Sequence, residues 1–135
     1  MRLTGKREYA LIVSVSTDIE QPVRDYLTKL AKFREASKTS EDHSPLVIMP
    51  IVKVHQTAPL NNPEEWILFK EKVQRQLREL REAGVERIYV FTHVPVAMAL
   101  MIGALMKNGP ETIVHHFDSR SYQEIGPMSM ETTIV

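Results

Sequence analysis

Residues 87–106 read RIYVFTHVPVAMALMIGALM, and this stretch decides which fold the chain can adopt. Residues 88–91 are β-branched or aromatic, which is the composition of a buried strand. From Val94 to Met106 no side chain is charged or strongly polar, and the Ala, Leu and Met residues favour a helix. Pro95 suits the first turn of that helix, where a missing N–H group costs nothing. The stretch therefore predicts a central strand, a sharp turn and a helix.

The predicted helix is apolar on nearly every face, so we expect it to be buried on several sides. Thr92 or His93 is expected at or just before its N-cap, and Thr is the better capping residue. The 13 uncharged residues are fewer than the roughly 20 needed to span a bilayer, so no membrane segment is predicted. The N–H groups at the start of the helix would face the space beyond the carboxyl end of the strand and favour an anion there.

Composition and charge exclude several classes of protein. At 135 residues, the chain is long enough for one domain, residues 1–135, with a core of its own. Lys plus Arg and Asp plus Glu number 17 each, and this balance argues against binding of duplex nucleic acid. There is no cysteine, which excludes disulfides, thiolate metal sites and a cysteine nucleophile, and fits the cytoplasm. The first residues, MRLTGKREY, lack the apolar core of a signal peptide.

Strand and helix patterns alternate along the rest of the chain. Residues 9–15 (YALIVSV) are typical of a buried parallel strand, and a helical pattern with Pro22 in its first turn follows. Residues 46–54 (LVIMPIVKV) predict a second strand, and Pro50 in its middle favours a sheet edge, a bulge or two shorter strands. Asn62 and Pro63 begin a second helix, Gly84 ends it, and residues 112–117 predict another strand. The order predicts an α/β fold, a Rossmann-like, mostly parallel sheet with helices on both faces.

In such a sheet a ligand binds beyond the carboxyl ends of the strands. The loops expected there are residues 14–18, 55–57 and 92–95, with residues 36–45 as a separate polar loop that carries His43. Their hydroxyls and N–H groups would hold phosphate or hydroxyl groups, although turn formation and capping explain the serines and threonines equally well. Lys53 and His55 would add positive charge, and Met98 would pack against a base. The predicted ligand-binding residues are Ser14, Ser16, Thr17, Asp18, Lys53, Thr92, His93, Val94, Pro95, Val96 and Met98.

Several well-known motifs are absent from the sequence. No glycine-rich dinucleotide fingerprint follows the first strand, and there is no Walker-type loop, GxSxG elbow or HExxH motif. Asp18 and Glu20 are two carboxylates without a further ligand, which is a weak signal for a metal. We therefore predict neither a metal site nor a cofactor.

Three stretches of the chain resemble the SAVED domain. They are KREYALIVSVSTDIEQPVRDYL (residues 6–27), GVERIYVFTHVPVAMALMIGALMKNGPETIVHHFD (84–118) and SYQEIGPM (121–128), and together they cover about half of the chain. The resemblance is to the C-terminal half of that domain. It lies in a strand that ends in Phe, a short turn with Pro, an Ala-rich apolar helix with one Gly, then a strand and a Tyr.

The resemblance implies a CARF-like, Rossmann-like fold and a sensor of cyclic oligonucleotides in bacterial anti-phage defence, in CBASS or type III CRISPR systems. A full SAVED domain looks like two fused CARF-like halves, whereas this chain is similar to one half and shows no attached effector. The resemblance therefore implies that two copies form a homodimer or higher oligomer to rebuild the pocket. By analogy, contacts would come from Ser14 to Asp18 and from Thr92 to Val96.

Three hypotheses about function follow. The first is a binding module, a dimeric receptor for a cyclic oligonucleotide such as cyclic oligoadenylate. The second is a metal-independent ring nuclease in which the ribose 2′-OH attacks its own phosphate. In that case His93 or His55 would be the catalytic acid or base, because histidine is the side-chain type that exchanges protons near neutral pH. The third is a subunit or inhibitor that works through protein contact alone.

Overall fold

The computed structural model describes residues 7–36, 48–107, 109–118 and 121–128, with side chains up to His115. His43 and most of its predicted loop lie outside the described residues. The described residues form five strands and three helices, which alternate as far as β4. They are β1 (Glu8–Val15), α1 (Glu20–Ala36), β2 (Ile51–Gln56), α2 (Pro63–Glu82), β3 (Arg87–His93), α3 (Val96–Leu105), β4 (Glu111–Asp118) and β5 (Ser121–Met128).

The strands form one sheet in the order β2-β1-β3-β4-β5. β1 pairs in parallel with both β2 and β3, β3 pairs in parallel with β4, and β5 runs antiparallel to β4. The predicted α/β fold with a mostly parallel sheet is confirmed. β2 lies at the sheet edge, as Pro50 predicted, although the strand begins only after the proline and ends at Gln56.

The core has two layers, one on each face of the sheet, because successive side chains of a strand point to opposite faces. Ala10 and Ile12 of β1 pack on the α1 side, with Val23 and Leu27. The intervening residues of β1 pack on the side of α2 and α3. Their neighbours there include Phe69, Val73, Leu77, Leu80, Met98 and Ile102. Helices therefore cover both faces, as predicted.

Both ends of α2 follow the sequence signals. The Asn62 side chain caps the helix, because its Oδ1 accepts a hydrogen bond from the Glu65 N–H group at 3.0 Å. The Glu65 carboxylate in turn accepts from the Asn61 N–H group at 3.0 Å. Gly84 follows the helix with a φ of +79°, a left-handed conformation that glycine adopts without strain.

Ion pairs link the residues at the amino ends of the strands, which we call the amino edge of the sheet. Glu8, Arg87 and Glu111 are the first residues of β1, β3 and β4, and they lie side by side in the sheet. Arg87 bonds Glu8 at 3.1 Å and Glu111 at 3.2 Å, while Arg34 of α1 bonds Glu8 at 2.7 Å. The Tyr89 hydroxyl donates to Glu8 as well, at 3.0 Å. This network ties α1 to three adjacent strands.

The segment around α3 departs from the sequence prediction in two respects. β3 continues through Thr92 and His93, which pair with β1, so neither residue caps the helix. Pro95 is the N-cap and α3 begins at Val96. The reason is that β1 runs on to Val15 and offers backbone partners to β3 beyond Phe91.

The expected burial of α3 on several sides was also wrong. Within the helix only Met98 and Ile102 are buried, whereas Val96 is 78% exposed and Leu100 is 72% exposed. A helix that lies on the face of a sheet contacts the sheet along one side and a neighbouring helix, here α2, along another. The described part of the chain supplies nothing to cover the remaining side.

Candidate functional site

An open cleft of about 520 Å³ lies at the carboxyl edge of the sheet. It is where β1 and β3 end and α3 begins, as expected for a ligand site in a parallel sheet. Its volume falls within the range of small-molecule sites, roughly 300–1,000 Å³. The lining residues are Val15, Ser16, Pro59, Leu60, Thr92, His93, Val94 and Pro95.

The backbone turns sharply at Ser16, directly after the end of β1. Its N–H group donates to the Gln56 carbonyl at 2.7 Å, which extends the pairing with β2 by one residue. The Thr17 N–H group then donates to the Val15 carbonyl at 2.8 Å, which closes a three-residue γ-turn around Ser16. Ser16 has a φ of +68°, so this is the rare and strained form of the turn.

The start of α3 leaves its backbone donors available. Pro95, its N-cap, makes no capping hydrogen bond through its side chain, and the first turn has no acidic residue. By contrast, α2 carries the Asn62 cap and α1 is preceded by Asp18, whose Oδ1 accepts from the Glu20 N–H group at 2.9 Å. Because the first N–H groups of a helix have no partner within it, the cleft borders donors suited to an anion.

A serine and two histidines lie side by side near the carboxyl ends of three adjacent strands. Ser14 is in register with His55 of β2 and His93 of β3, so the three side chains share the α1 face of the sheet. Ser14 is fully buried, and its Oγ forms a 2.6 Å hydrogen bond with His55 Nδ1. His93 is exposed and lines the cleft. Ser14 therefore holds His55 in place but is not accessible to a ligand.

Lys53 is held by two carboxylates. Its ammonium lies 2.9 Å from Asp18 and 3.1 Å from Glu20. The hydrogen bond from Lys53 lowers the pKa of Asp18, and the bond from Arg24, followed by that from Lys53, lowers the pKa of Glu20. The hydrogen bonds of Lys53 to Asp18 and Glu20 in turn raise the pKa of Lys53. Neither Lys53 nor His55 is among the residues that line the cleft, and the charge of Lys53 is balanced by its two acidic neighbours.

The structure gathers some of the predicted ligand-binding residues and separates others. The predicted residues that line one cleft are Ser16, Thr92, His93, Val94 and Pro95. Thr17 is exposed beside the cleft, and Val96 is exposed at the start of α3. Met98 is fully buried in the core, so it has no surface to offer a base.

The sequence analysis missed two lining residues, Pro59 and Leu60, whereas Val15 lies within the predicted loop 14–18 but was not named as a contact. Pro59 and Leu60 belong to the loop between β2 and α2. An apolar Ala-Pro-Leu segment directly after the carboxyl end of a strand was the available signal. Leu60 is partly buried against the core, Pro59 is exposed, and both form an apolar wall of the cleft.

Two features are absent from the residues that the structure describes. No group of three or more His, Cys, Asp or Glu side chains is arranged to hold a metal ion. No helix of the described ranges combines the length and hydropathy that a membrane crossing requires.

The sequence matches one protein-family model over residues 2–125. Its description is "SMODS-associated and fused to various effectors sensor domain", or SAVED. Among curated proteins no sequence matches the chain significantly.

Solved structures with the same fold include receptors that contain SAVED/CARF domains. The Acinetobacter baumannii Cap4 receptor with the cyclic trinucleotide 3'3'3'-cAAA has a TM-score of 0.67 and 14% identity over 92% of this chain. The same receptor with 2'3'3'-cAAA has a TM-score of 0.66 at 14% identity over 92% of the chain. The Moraxella osloensis Cap4 receptor has a TM-score of 0.60 at 13% identity over 96%. The chain spans about a quarter of the length of these receptors, 25%, 25% and 24% respectively.

Proposed function

The chain belongs to the SAVED family, and from this membership we propose that it senses a cyclic oligonucleotide in bacterial anti-phage defence. The ligand would be a cyclic oligoadenylate, the class to which the cAAA rings of the A. baumannii receptor structures belong. One observation of this chain supports the proposal most. The turn after β1 and the start of α3, which are far apart in sequence, border one open cleft.

The cleft would hold phosphates through neutral donors. The first-turn N–H groups of α3 lack a side-chain cap, and the hydroxyl-bearing residues Ser16 and Thr92 line the cleft that α3 borders. His93 is exposed in the same cleft and adds a ring N–H donor. The loop residues Pro59 and Leu60 would give the bases an apolar wall. Because Lys53 is already paired, binding should depend less on salt than in sites that neutralise phosphates with unpaired cations.

The proposal extends to a pair of chains acting in the cytoplasm, within a type III CRISPR or CBASS pathway. The exposed face of α3 supports a second copy as the partner. This face carries Val96 and Leu100 and no charge, so two copies can meet there without repulsion. It also begins next to the cleft, since Pro95, the N-cap of α3, is a lining residue. A second chain would therefore add walls to a cleft that is open on one side.

Isothermal titration with cyclic tri-, tetra- and hexa-adenylate tests the ligand. We expect saturable binding to one ring size, with linear oligoadenylate of equal length as the control. At 100 times the dissociation constant, the ligand should raise the unfolding free energy by about 2.7 kcal/mol. The absence of binding by every ring at about 10 μM protein and excess ligand would refute the proposal.

Substitution of Leu100 by Glu tests the pair of chains. The side chain is exposed, so the chain should still fold, while sedimentation should change from dimer to monomer and ring affinity should fall. Leu68→Glu, at a 57% exposed position of α2, is the matched control and should leave both unchanged. A wild-type monomer at every concentration would contradict this part of the proposal.

Ring cleavage, the alternative function, is not favoured. Ser14 is buried and its hydroxyl is bonded to His55, and His55 is not among the residues that line the cleft. His93 alone remains in the cleft as a proton-exchanging group. Chromatography of the ligand after the titration should return the intact ring.

A further inference from the structure

β3 and β4 separate before either strand ends. Their parallel pairing stops at Val90 and Val114, although both strands continue toward the carboxyl edge. The register of β4 with β5 shifts at the same point, directly after Val114. Residues 91–93, which we call the β3 arm, pair with β1 but no longer with β4. The sheet is therefore forked between β3 and β4, next to the cleft.

The fork determines what the backbone of Thr92 faces. Successive residues of a strand direct their N–H and C=O groups to opposite neighbouring strands. The Arg87 N–H group donates to the Arg7 carbonyl, directly before β1, at 3.1 Å. The Glu86 carbonyl accepts from the Glu111 N–H group of β4 at 3.2 Å. Odd-numbered residues of β3 therefore bond toward β1 and even-numbered ones toward β4. Thr92, which lines the cleft, directs its backbone groups into the gap that β4 has left.

His115 is the first residue of β4 past the fork, and its side chain contacts β3 on both sides of it. The residue is buried, and Nδ1 lies 3.1 Å from the carbonyl oxygen of Val90, the last residue of β3 that pairs with β4. Because a carbonyl oxygen only accepts, Nδ1 carries the hydrogen. The ring also stacks on Phe91, the first residue of the β3 arm, with centroids 4.2 Å apart.

Two tyrosines complete the packing around His115. Tyr89 of β3 stacks on its ring with centroids 5.5 Å apart, and Tyr26 of α1 meets it edge-on at 5.1 Å. Aromatic pairs of this kind stabilise a core. A phenylalanine would make similar ring contacts without a polar group to bury. The hydrogen bond to Val90 is therefore what histidine adds at this position.

We propose that His115 is a positioning residue for the cleft. Its ring fixes the point at which β4 leaves β3, and so holds the β3 arm in one conformation with the backbone of Thr92 facing the gap. His115 does not line the cleft, so it acts through the arm and not by touching the ligand. The proposal rests on the proposed function, because it assumes that the ligand occupies this cleft. A wall that is fixed before binding loses less entropy when the ligand arrives.

Two substitutions of similar effect on the fold separate positioning from packing. His115→Phe keeps a ring and removes the hydrogen bond to Val90. Ile113→Val shortens a buried side chain of β4 within the paired region. Each should lower the melting temperature by about 3–5 °C. Affinity for the cyclic oligoadenylate that the wild type binds should fall about three- to tenfold in His115→Phe and stay unchanged in Ile113→Val. Unchanged affinity in His115→Phe would overturn the proposal.

Amide hydrogen exchange without ligand tests the fork itself. The N–H groups of Phe91 and His93 bond toward β1, so in the wild type they should exchange more slowly than that of Thr92. In His115→Phe the exchange of Phe91 and His93 should become about tenfold faster, because the β3 arm is then held from one side. Ile113→Val should not accelerate it.

Equal exchange in the two variants would overturn the proposal. A wild-type chain that binds no ring would refute the proposed function, whereas the exchange rates of the β3 arm would still decide whether His115 fixes the fork.

Discussion

The amino and carboxyl edges of the sheet differ in what their polar groups bond to. At the amino edge, Glu8 receives hydrogen bonds from Arg34, Arg87 and Tyr89, so its charge is satisfied within the fold. At the carboxyl edge, the exposed hydroxyl of Ser16 and the uncapped start of α3 face an open cleft. Groups that the fold satisfies stabilise it, and groups that it leaves open are available to a ligand. Substitutions at the two edges should therefore affect different quantities.

The largest effect is expected at the amino edge. Glu8→Ala removes the acceptor that two arginines and Tyr89 share, so the unfolding free energy should fall by about 2–3 kcal/mol. Ring affinity should not change, since Glu8 lies at the far end of β1. Urea denaturation gives the first quantity and titration the second. Glu71→Ala, on the exposed face of α2, is the control and should stay within about 0.5 kcal/mol of wild type.

A smaller loss of stability is expected from a substitution at Ser14, a buried residue of the carboxyl edge. Ser14→Ala removes the 2.6 Å bond to His55, and the unfolding free energy should fall by about 1 kcal/mol. Thr17→Ala, at an exposed neighbour, should leave it unchanged. A double-mutant cycle of Ser14 with His55 would measure the bond itself. Additive effects in that cycle would show that the pair is not coupled.

The acid sensitivity of the amino edge is a further difference. Burial raises the pKa of Glu8, but hydrogen bonds from Arg34 and Tyr89 outweigh it and hold the pKa below the ordinary 4.5. A carboxyl group whose pKa is lowered by folding stabilises the fold fully above its unfolded pKa. That contribution is lost as the pH falls through the folded value. The unfolding free energy of wild type should therefore fall more steeply below about pH 4.5 than that of Glu8→Gln. Equal slopes would contradict the network.

The smallest effect is expected at Lys53. Asp18→Asn keeps the cap on α1 but removes one of the two carboxylates that pair with Lys53. The ammonium is then less neutralised, so affinity for the anionic ring should rise by about two- to threefold, with a steeper dependence on salt. Asp25→Asn removes an equal charge from α1, at a carboxylate bonded to Gln21, and should change neither quantity. Equal effects of the two variants would show that only net charge matters.

Local signals in the sequence were sufficient for the fold and for the edge of the sheet at which the cleft lies. The apolar run of β1, the Asn62-Pro63 start of α2 and the glycine after it each follow from short-range physics, and the structure has all three. The strand–helix alternation then predicted a ligand site at the carboxyl ends of the strands, where the cleft lies.

What the sequence did not reveal depends on contacts between distant segments. The composition of α3 shows that the helix is apolar but not which side finds a partner, and so its exposed face was missed. Lys53 pairs with Asp18, in the loop before α1, and with Glu20, at the start of α1. Both are more than 30 residues away in sequence, so spacing alone does not indicate the pairing. The end of β3 depends on how far β1 continues beside it, so Thr92 and His93 were assigned to a cap when they belong to the strand.

The uncharged face of α3 also determines how contacts made through it respond to conditions. With no ionic group at Val96, Leu100 or elsewhere along the helix, added sodium chloride has no attraction to screen. Sulfate should strengthen such a contact, and cooling should weaken it, because burial of apolar surface near room temperature is driven by entropy. Chains held together by this helix would therefore separate in the cold and persist in concentrated salt.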